Sequence, residues 1–148
     1  MNKFVLFKSH EQFFAVSIAI IEKIILFQPP TLIPDTSAYI LGYLPYDGKP
    51  LALIDMQMRL FQVAGVPDEE TKIIVIHWKG KKLGLVIDEV VRVQDFQADS
   101  NRETHSEDEK TNYIVEIFQE KDEIILHLDI DKLFSEEGVE EIEAIIEK

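Results

Sequence analysis

ILGYLPYDGKPLALIDMQMRLF, residues 40–61, sets the plan of this chain. Asp47-Gly48 is its strongest turn signal, because an Asp-Gly pair favours the positive φ angles of a tight two-residue hairpin. Residues 43–46 and 49–54 flank that turn as short strands, and 55–61 (DMQMRLF) has a helical look. The second strand stops at an aspartate, and the ending recurs: PLALID55, KLGLVID88 and IILHLD129. Carboxylates at such places bind a hard cation or share acid–base work when they cluster. An Asp just after a strand more often caps the helical turn that follows, its oxygen accepting from a free backbone N–H. Capping suits Asp55 before MQMRL, and Asp129 or Asp131 before KLF.

Outward from this stretch the theme repeats. FVLF (4–7) and FFAV (13–16) flank a polar SHEQ turn and predict a first hairpin. Residues 17–27 mix helical spacing with five isoleucines that favour strand, so a turn of helix running into a strand is expected. After QPPTLIP, Asp35 or Thr36 is expected to cap a brief helix through Leu41 that Gly42 ends. Residues 66–70 (VPDEE) read as a surface loop. KIIVIHW, a WKGKK turn and KLGLVIDEVVRV give further strands, and residues 113–118 and 124–128 a last hairpin. Residues 97–110 (QADSNRETHSEDEK) have almost nothing to bury and are expected to be mobile. Val139, Ile142, Ile145 and Ile146 line one stripe of a terminal helix whose other face is nearly all glutamate. About nine short strands with tight turns predict a small all-β barrel architecture.

The composition agrees with one compact unit. The 148 residues are 46% apolar, and a chain of this length buries roughly two-thirds of the surface its unfolded form exposes. With no cysteine there are no disulfides, thiol nucleophiles or Cys-type zinc sites, and a reducing compartment, the cytoplasm, is expected. The N-terminal apolar run is too short for a secretory signal, and residues 13–27 are interrupted by Glu22 and Lys23 and fall short of a bilayer span. The net charge of -13 is a C-terminal property: residues 1–98 carry eleven acidic and ten basic side chains, residues 99–148 seventeen and five. That acidity disfavours nucleic acid and anionic lipid as partners and keeps the protein soluble.

Candidates for catalysis are poor. No G-x-S-x-G elbow, G-x-G-x-x-G or Walker loop is present, since Gly80-Lys81 is followed by Lys82. His10, His77, His105 and His127 lack metal-ligand spacing. His77 and His127 lie in predicted strands that approach each other if the sheet brings them together, and His105 sits among Glu103, Glu107 and Asp108. An enzyme built on these histidines and the strand-end aspartates requires them to converge in a cleft; no cofactor or metal is expected.

From residue 4 to residue 134 the chain resembles the CheW family of chemotaxis adaptors. Ile40, Gly42, Gly48, Leu53, Ile54, Asp55 and Met56 fall in register with the family's central segment. Ile18, Ile21 and Ile24 match its opening "I-x-x-V-x-E-I". Gly80, Gly84, Val86, Asp88, Val90 and Val93 match "G-x-x-x-G-[LI]-V-V-D-x-V-x-x-V", and IILHLDIDKLF is close to its closing "I-L-x-L-D-I-x-K-L-L". Each piece alone is weak; four in this order and separation are specific. The resemblance implies two intertwined five-stranded SH3-like barrels with short helices and a C-terminal helix. It places one lobe at roughly 15–72, the other at roughly 1–14 plus 73–134, and the helix at roughly 136–147.

The resemblance also implies a non-catalytic adaptor that links the regulatory domain of a CheA-type histidine kinase to the cytoplasmic tip of a chemoreceptor. The residues it points to for partner contact are Ile21, Lys23, Tyr43, Tyr46 and Asp47. Departures from the family pattern touch the same place. Lys23 stands where the family has Glu and Asp47 where it has Arg, so either the two face each other as a charge-swapped pair or both have drifted independently. Ala52 replaces a common proline and residues 113–117 lack the usual glycine. These departures also suit a divergent module serving another kinase pathway.

Overall fold

The computed structural model describes residues 3–96, 101–104 and 112–147. Its strands are β1 (Lys3–Ser9), β2 (Gln12–Ser17), β3 (Ile21–Leu26), β4 (Ile40–Tyr46), β5 (Lys49–Asp55), β6 (Lys72–Trp78), β7 (Lys81–Ile87), β8 (Glu89–Asp95), β9 (Asn101–Thr104), β10 (Ile114–Glu120) and β11 (Glu123–Leu128). Helix α1 (Met56–Phe61) follows β5, and α2 (Glu136–Ile146) ends the described chain.

Two sheets share these strands. One has the order β8-β1-β2-β11-β10-β9 and the other β3-β6-β7-β5-β4. The first strand pairs with β8, so the beginning of the chain is built into the second half. The sheets are the two intertwined SH3-like barrels that the resemblance implies, one of them widened by the edge strand β9. That strand lies inside the polar stretch expected to be mobile: residues 101–104 pair with β10, and the rest of 97–111 lies outside the described residues.

Local chemistry explains the turns. The β1–β2 turn at His10-Glu11, the β4–β5 turn at Asp47-Gly48 and the β6–β7 turn at Lys79-Gly80 hold two consecutive residues at positive φ, which matches the right-handed twist of the flanking strands. Ser17 accepts from the Ala19 N–H at 3.2 Å to start a 3-10 turn, Ile18–Ile20, that runs into β3 as expected. The brief helix expected from Asp35 or Thr36 does not form. Asp35 sits at φ 61, Ile40 already opens β4, and Gly42 lies inside that strand. A one-turn helix makes few internal bonds, whereas β4 gains a ladder with β5 and a two-bond bridge between Tyr43 and Thr31 at 2.9 and 3.0 Å.

Continuous apolar runs arise where both strand faces are buried. In β1, Val5 and Phe7 enter a core between the sheets while Phe4 and Leu6 fill the six-stranded barrel. In β6, Ile74 and Ile76 face the shared core while Ile73 and Val75 fill the five-stranded barrel. Burying one such side chain stabilises by about 1.5–3 kcal/mol over leaving it exposed. Helix α2 adds Ile142 and Ile145 to the shared core, with its glutamates outward. Its clasps are Ser37, which donates N–H and Oγ–H to Glu141 at 2.7 and 2.6 Å, and the Lys81–Glu143 ion pair at 3.3 Å.

Candidate functional site

The register shift between Ile21 and Lys23 makes Glu22 the extra residue of a β-bulge on β3. A bulge resets which face each side chain takes. Ile21 packs on the core shared by the two sheets, whereas Ile25, four residues on, packs inside the barrel. Without the bulge the two would share a face.

Glu22 then turns toward the mouth of the five-stranded barrel and collects partners from three other elements. Tyr46, at the end of β4, donates its hydroxyl to Glu22 Oε2 at 2.5 Å. Lys82 of β7 reaches Glu22 Oε1 at 3.2 Å and Asp47 Oδ2 at 3.1 Å, and its ammonium stands 5.3 Å from the centre of the Tyr46 ring. His77 of β6, the cross-strand partner of Lys82, places Nε2 3.7 Å from Glu22. The Tyr46 hydroxyl holds the Glu22 carboxyl below the usual carboxylate range, helped by Lys82 and His77 and opposed by partial desolvation. The same contacts push the Tyr46 hydroxyl up, with Glu22 the main cause, and push the Lys82 ammonium up through Asp47 and Glu22.

Of the five residues singled out from the sequence, Tyr46 and Asp47 meet in this cluster. Ile21 and Tyr43 are half-buried against the shared core, and Tyr43 spends its backbone groups on Thr31. Lys23 is exposed on the edge strand opposite Val75. The charge-swapped pair is therefore corrected: Asp47 is bound by Lys82, and among the described residues no ion pair joins it to Lys23. Glu22, one position earlier, takes the place expected for Lys23 because the bulge turns it toward the barrel mouth. Lys82 escaped the sequence reading, although the two-residue turn Lys79-Gly80 already aligns it with His77.

The strand-end aspartates are spread apart in function. Asp55 caps α1 through Met58 N–H at 3.2 Å and ties down Gly65 N–H at 2.9 Å. Asp129 accepts from Asp131 N–H at 3.0 Å at the start of a 3-10 turn, Ile130–Lys132. Asp88 accepts from His10 N–H at 3.0 Å. His77 and His127 both border a cleft of about 300 Å³ between the sheets, yet His77 meets Glu22 and His127 meets Glu116 at 3.2 Å. Among the described residues no group of three or more His, Asp or Glu is placed to hold a metal ion; His105 lies outside them.

Twin barrels around a shared core, with a charged cluster at one barrel mouth, define a small two-lobed β module. Residues 3–138 match the family model of the CheW-like domain, and the chain belongs to that family. It is 25% identical over 140 residues to the chemotaxis protein CheW of Bacillus subtilis (strain 168), covering 93% of this chain and 89% of that one. It is 32% identical over 89 residues to the chemotaxis protein CheW of Rhizobium meliloti (strain 1021), covering 60% and 57%. In structure it is similar to the scaffolding protein TtCheW from Thermoanaerobacter tengcongensis, with a TM-score of 0.82 and 25% identity over 93% of this chain and 90% of that one.

Proposed function

We propose that this protein is a cytoplasmic, non-catalytic adaptor of chemotaxis signalling that holds the regulatory domain of a CheA-type histidine kinase and the cytoplasmic tip of a chemoreceptor. The observation that carries this reading is the family match over residues 3–138 together with the like fold of a chemotaxis scaffold. No helix among the described residues is long and apolar enough to cross a membrane.

Contact with one of these partners is made around Ile21, Lys23, Tyr43, Tyr46 and Asp47, with Glu22 and Lys82 setting the charge of the surface. Lys82 is shared by both carboxylates, so Lys23 presents a cation beside a knot in which two carboxylates face one ammonium. Such rim charges govern association rate and partner choice more than affinity.

Titration calorimetry with the purified kinase regulatory domain and with a receptor tip fragment tests the reading. Binding to each singly, and a ternary complex when both are present, is the expected result. Absence of binding to both overturns it. Lys23→Glu and Asp47→Arg, which restore the family's charges, are expected to change the association rate at low salt and to matter less at high salt.

A further inference from the structure

The strand registers place Glu22, His77, Lys82 and Lys49 at one end of the five-stranded barrel and Leu26, Lys72, Ile87 and Asp55 at the other. A six-residue strand such as β3 separates the ends by about 20 Å. The far end carries apolar side chains where loops are ordinarily polar: Leu26 is 66% exposed, Leu32 77% and Val66 87%. Leu32 and Val66 line a cleft of about 110 Å³, room for one aliphatic side chain, walled also by Phe27, Pro30, Leu41 and Pro67.

Single exposed aliphatics are common and need no explanation, but two that line one cleft, with a third at the same end of the barrel, are not scattered. Nor are their loops loose. Thr31, next to Leu32, makes both backbone bonds of an isolated bridge to Tyr43. That approach is possible only because residue 42 is glycine: a Cβ there would stand 2.0 Å from the Thr31 carbonyl oxygen. Gly65, next to Val66, donates its N–H to the buried Asp55. The apolar groups are thus presented by fixed backbone, which lowers the ordering cost of binding.

A second cleft, of about 390 Å³, adjoins the first and shares Val66, Thr71 and Asp88 with it. Its charged walls are Glu11, Asp68, Glu70, Asp88 and Glu89 against the single cation Lys8. An apolar centre with a charged rim is the anatomy of a protein interface, and here the rim is acidic.

We propose that this end of the barrel is a second docking surface, taking a protein segment that inserts one or two aliphatic side chains and flanks them with lysine or arginine. It uses none of the residues assigned to partner contact above and lies at the opposite end of the barrel. The two surfaces can be occupied at once, and the proposal stands whichever partners the adaptor reading names.

Backbone amide NMR of the intact chain tests it. The probe is a synthetic helix-forming peptide of about 14 residues with leucines at i, i+3, i+4 and i+7 and lysines elsewhere, beside a control in which serines replace the leucines. The expected result is saturable shift changes at Leu32, Val66 and Thr71. Affinity should weaken by roughly tenfold or more in Leu32→Ser/Val66→Ser and with the serine control, and should persist in Asp47→Ala. Equal binding of the serine control, shifts confined to the glutamates of α2, or no saturable binding overturns the proposal. Because both side chains are exposed, the double variant is expected to keep its amide spectrum; should it not, Val66→Ser alone gives the reading.

Discussion

Tyr46 donates its hydroxyl to Glu22 at 2.5 Å, joining the last residue of β4 to the second residue of β3. Those strands are the two edges of the five-stranded sheet, so a single side-chain bond closes the mouth of the barrel where no backbone ladder does. Lys82, from a central strand, lies against the same carboxylate and the same ring.

Acidification should undo that closure. The folded-state pKa of Glu22 is depressed, first by the Tyr46 hydroxyl and then by Lys82 and His77, so its contribution is complete above the ordinary carboxylate pKa and is lost as pH falls through the lower folded value. Thermal midpoints of the wild type and of Glu22→Leu, followed from neutral to acidic pH, should differ most at neutral pH and converge on acidification. A constant gap would show that the charge of Glu22 plays no part.

Asp47 answers to Lys82 and not to Lys23. A double-mutant cycle on Asp47→Asn and Lys82→Met should give coupling outside experimental error at low ionic strength that shrinks in salt, whereas the cycle on Asp47→Asn and Lys23→Met should be additive. Stability measured by denaturant unfolding is the readout. Coupling in the second cycle and none in the first would reverse the assignment.

Gly42→Ala meets two obstacles at once, a φ of 141° and a Cβ 2.0 Å from the Thr31 oxygen. A loss of more than about 2 kcal/mol is expected, with faster amide exchange at Thr31 and Tyr43 reporting rupture of their bridge. Unchanged exchange at those two positions would mean that the loop does not depend on the glycine.

Asp55 serves two donors, Met58 N–H and Gly65 N–H. Loss of a cap costs about 1 kcal/mol, and the stranded Gly65 donor adds to it, so Asp55→Ala should lower the unfolding free energy by roughly 2 kcal/mol. Asn retains one acceptor oxygen and should recover part of the loss. Equal loss in Ala and Asn would point to the charge instead of the cap.

Asp88 carries the opposite sign from Glu22. Partial burial is the main cause raising its pKa, against the His10 N–H that lowers it. A raised carboxyl pKa means the folded state binds protons more readily, so this group's contribution weakens as pH rises from the ordinary carboxylate value through the raised one. Asp88→Asn keeps an acceptor for His10 and removes the cost of the buried charge. It should leave stability at neutral pH equal to or above that of the wild type, and any advantage should shrink on acidification as the wild-type carboxyl takes up its proton; a marked loss at neutral pH would contradict this.

Much of the fold could be read from local pattern. FVLF and IIVI appear as unbroken apolar runs because both faces of β1 and β6 are buried, and Asp47-Gly48 makes its hairpin because only small or polar residues accept positive φ cheaply. The helix expected before Gly42 failed for the same physical reason that sequence windows fail generally. Its capping residues were right for a helix, but ladder bonds to β5 and a bridge to Thr31, eleven positions before Gly42, outweighed them.

The amino-acid sequence by itself determined most of the strands, the tight turns, the caps at Asp55 and Asp129 and the family, since each depends on residues within a few positions or on their order along the chain; β9 and the start of β4 were not among them. Only the tertiary structure decided which charges meet. A bulge at Glu22 is one unpaired residue with no local signature, yet it puts Glu22 and not Lys23 at the barrel mouth, while the pairing of β5 with β7 gives Asp47 a partner 35 positions away in Lys82. Barrel closure likewise set Leu32 beside Val66: which loops share an end follows from strand register, and register is settled by the packing of the whole sheet.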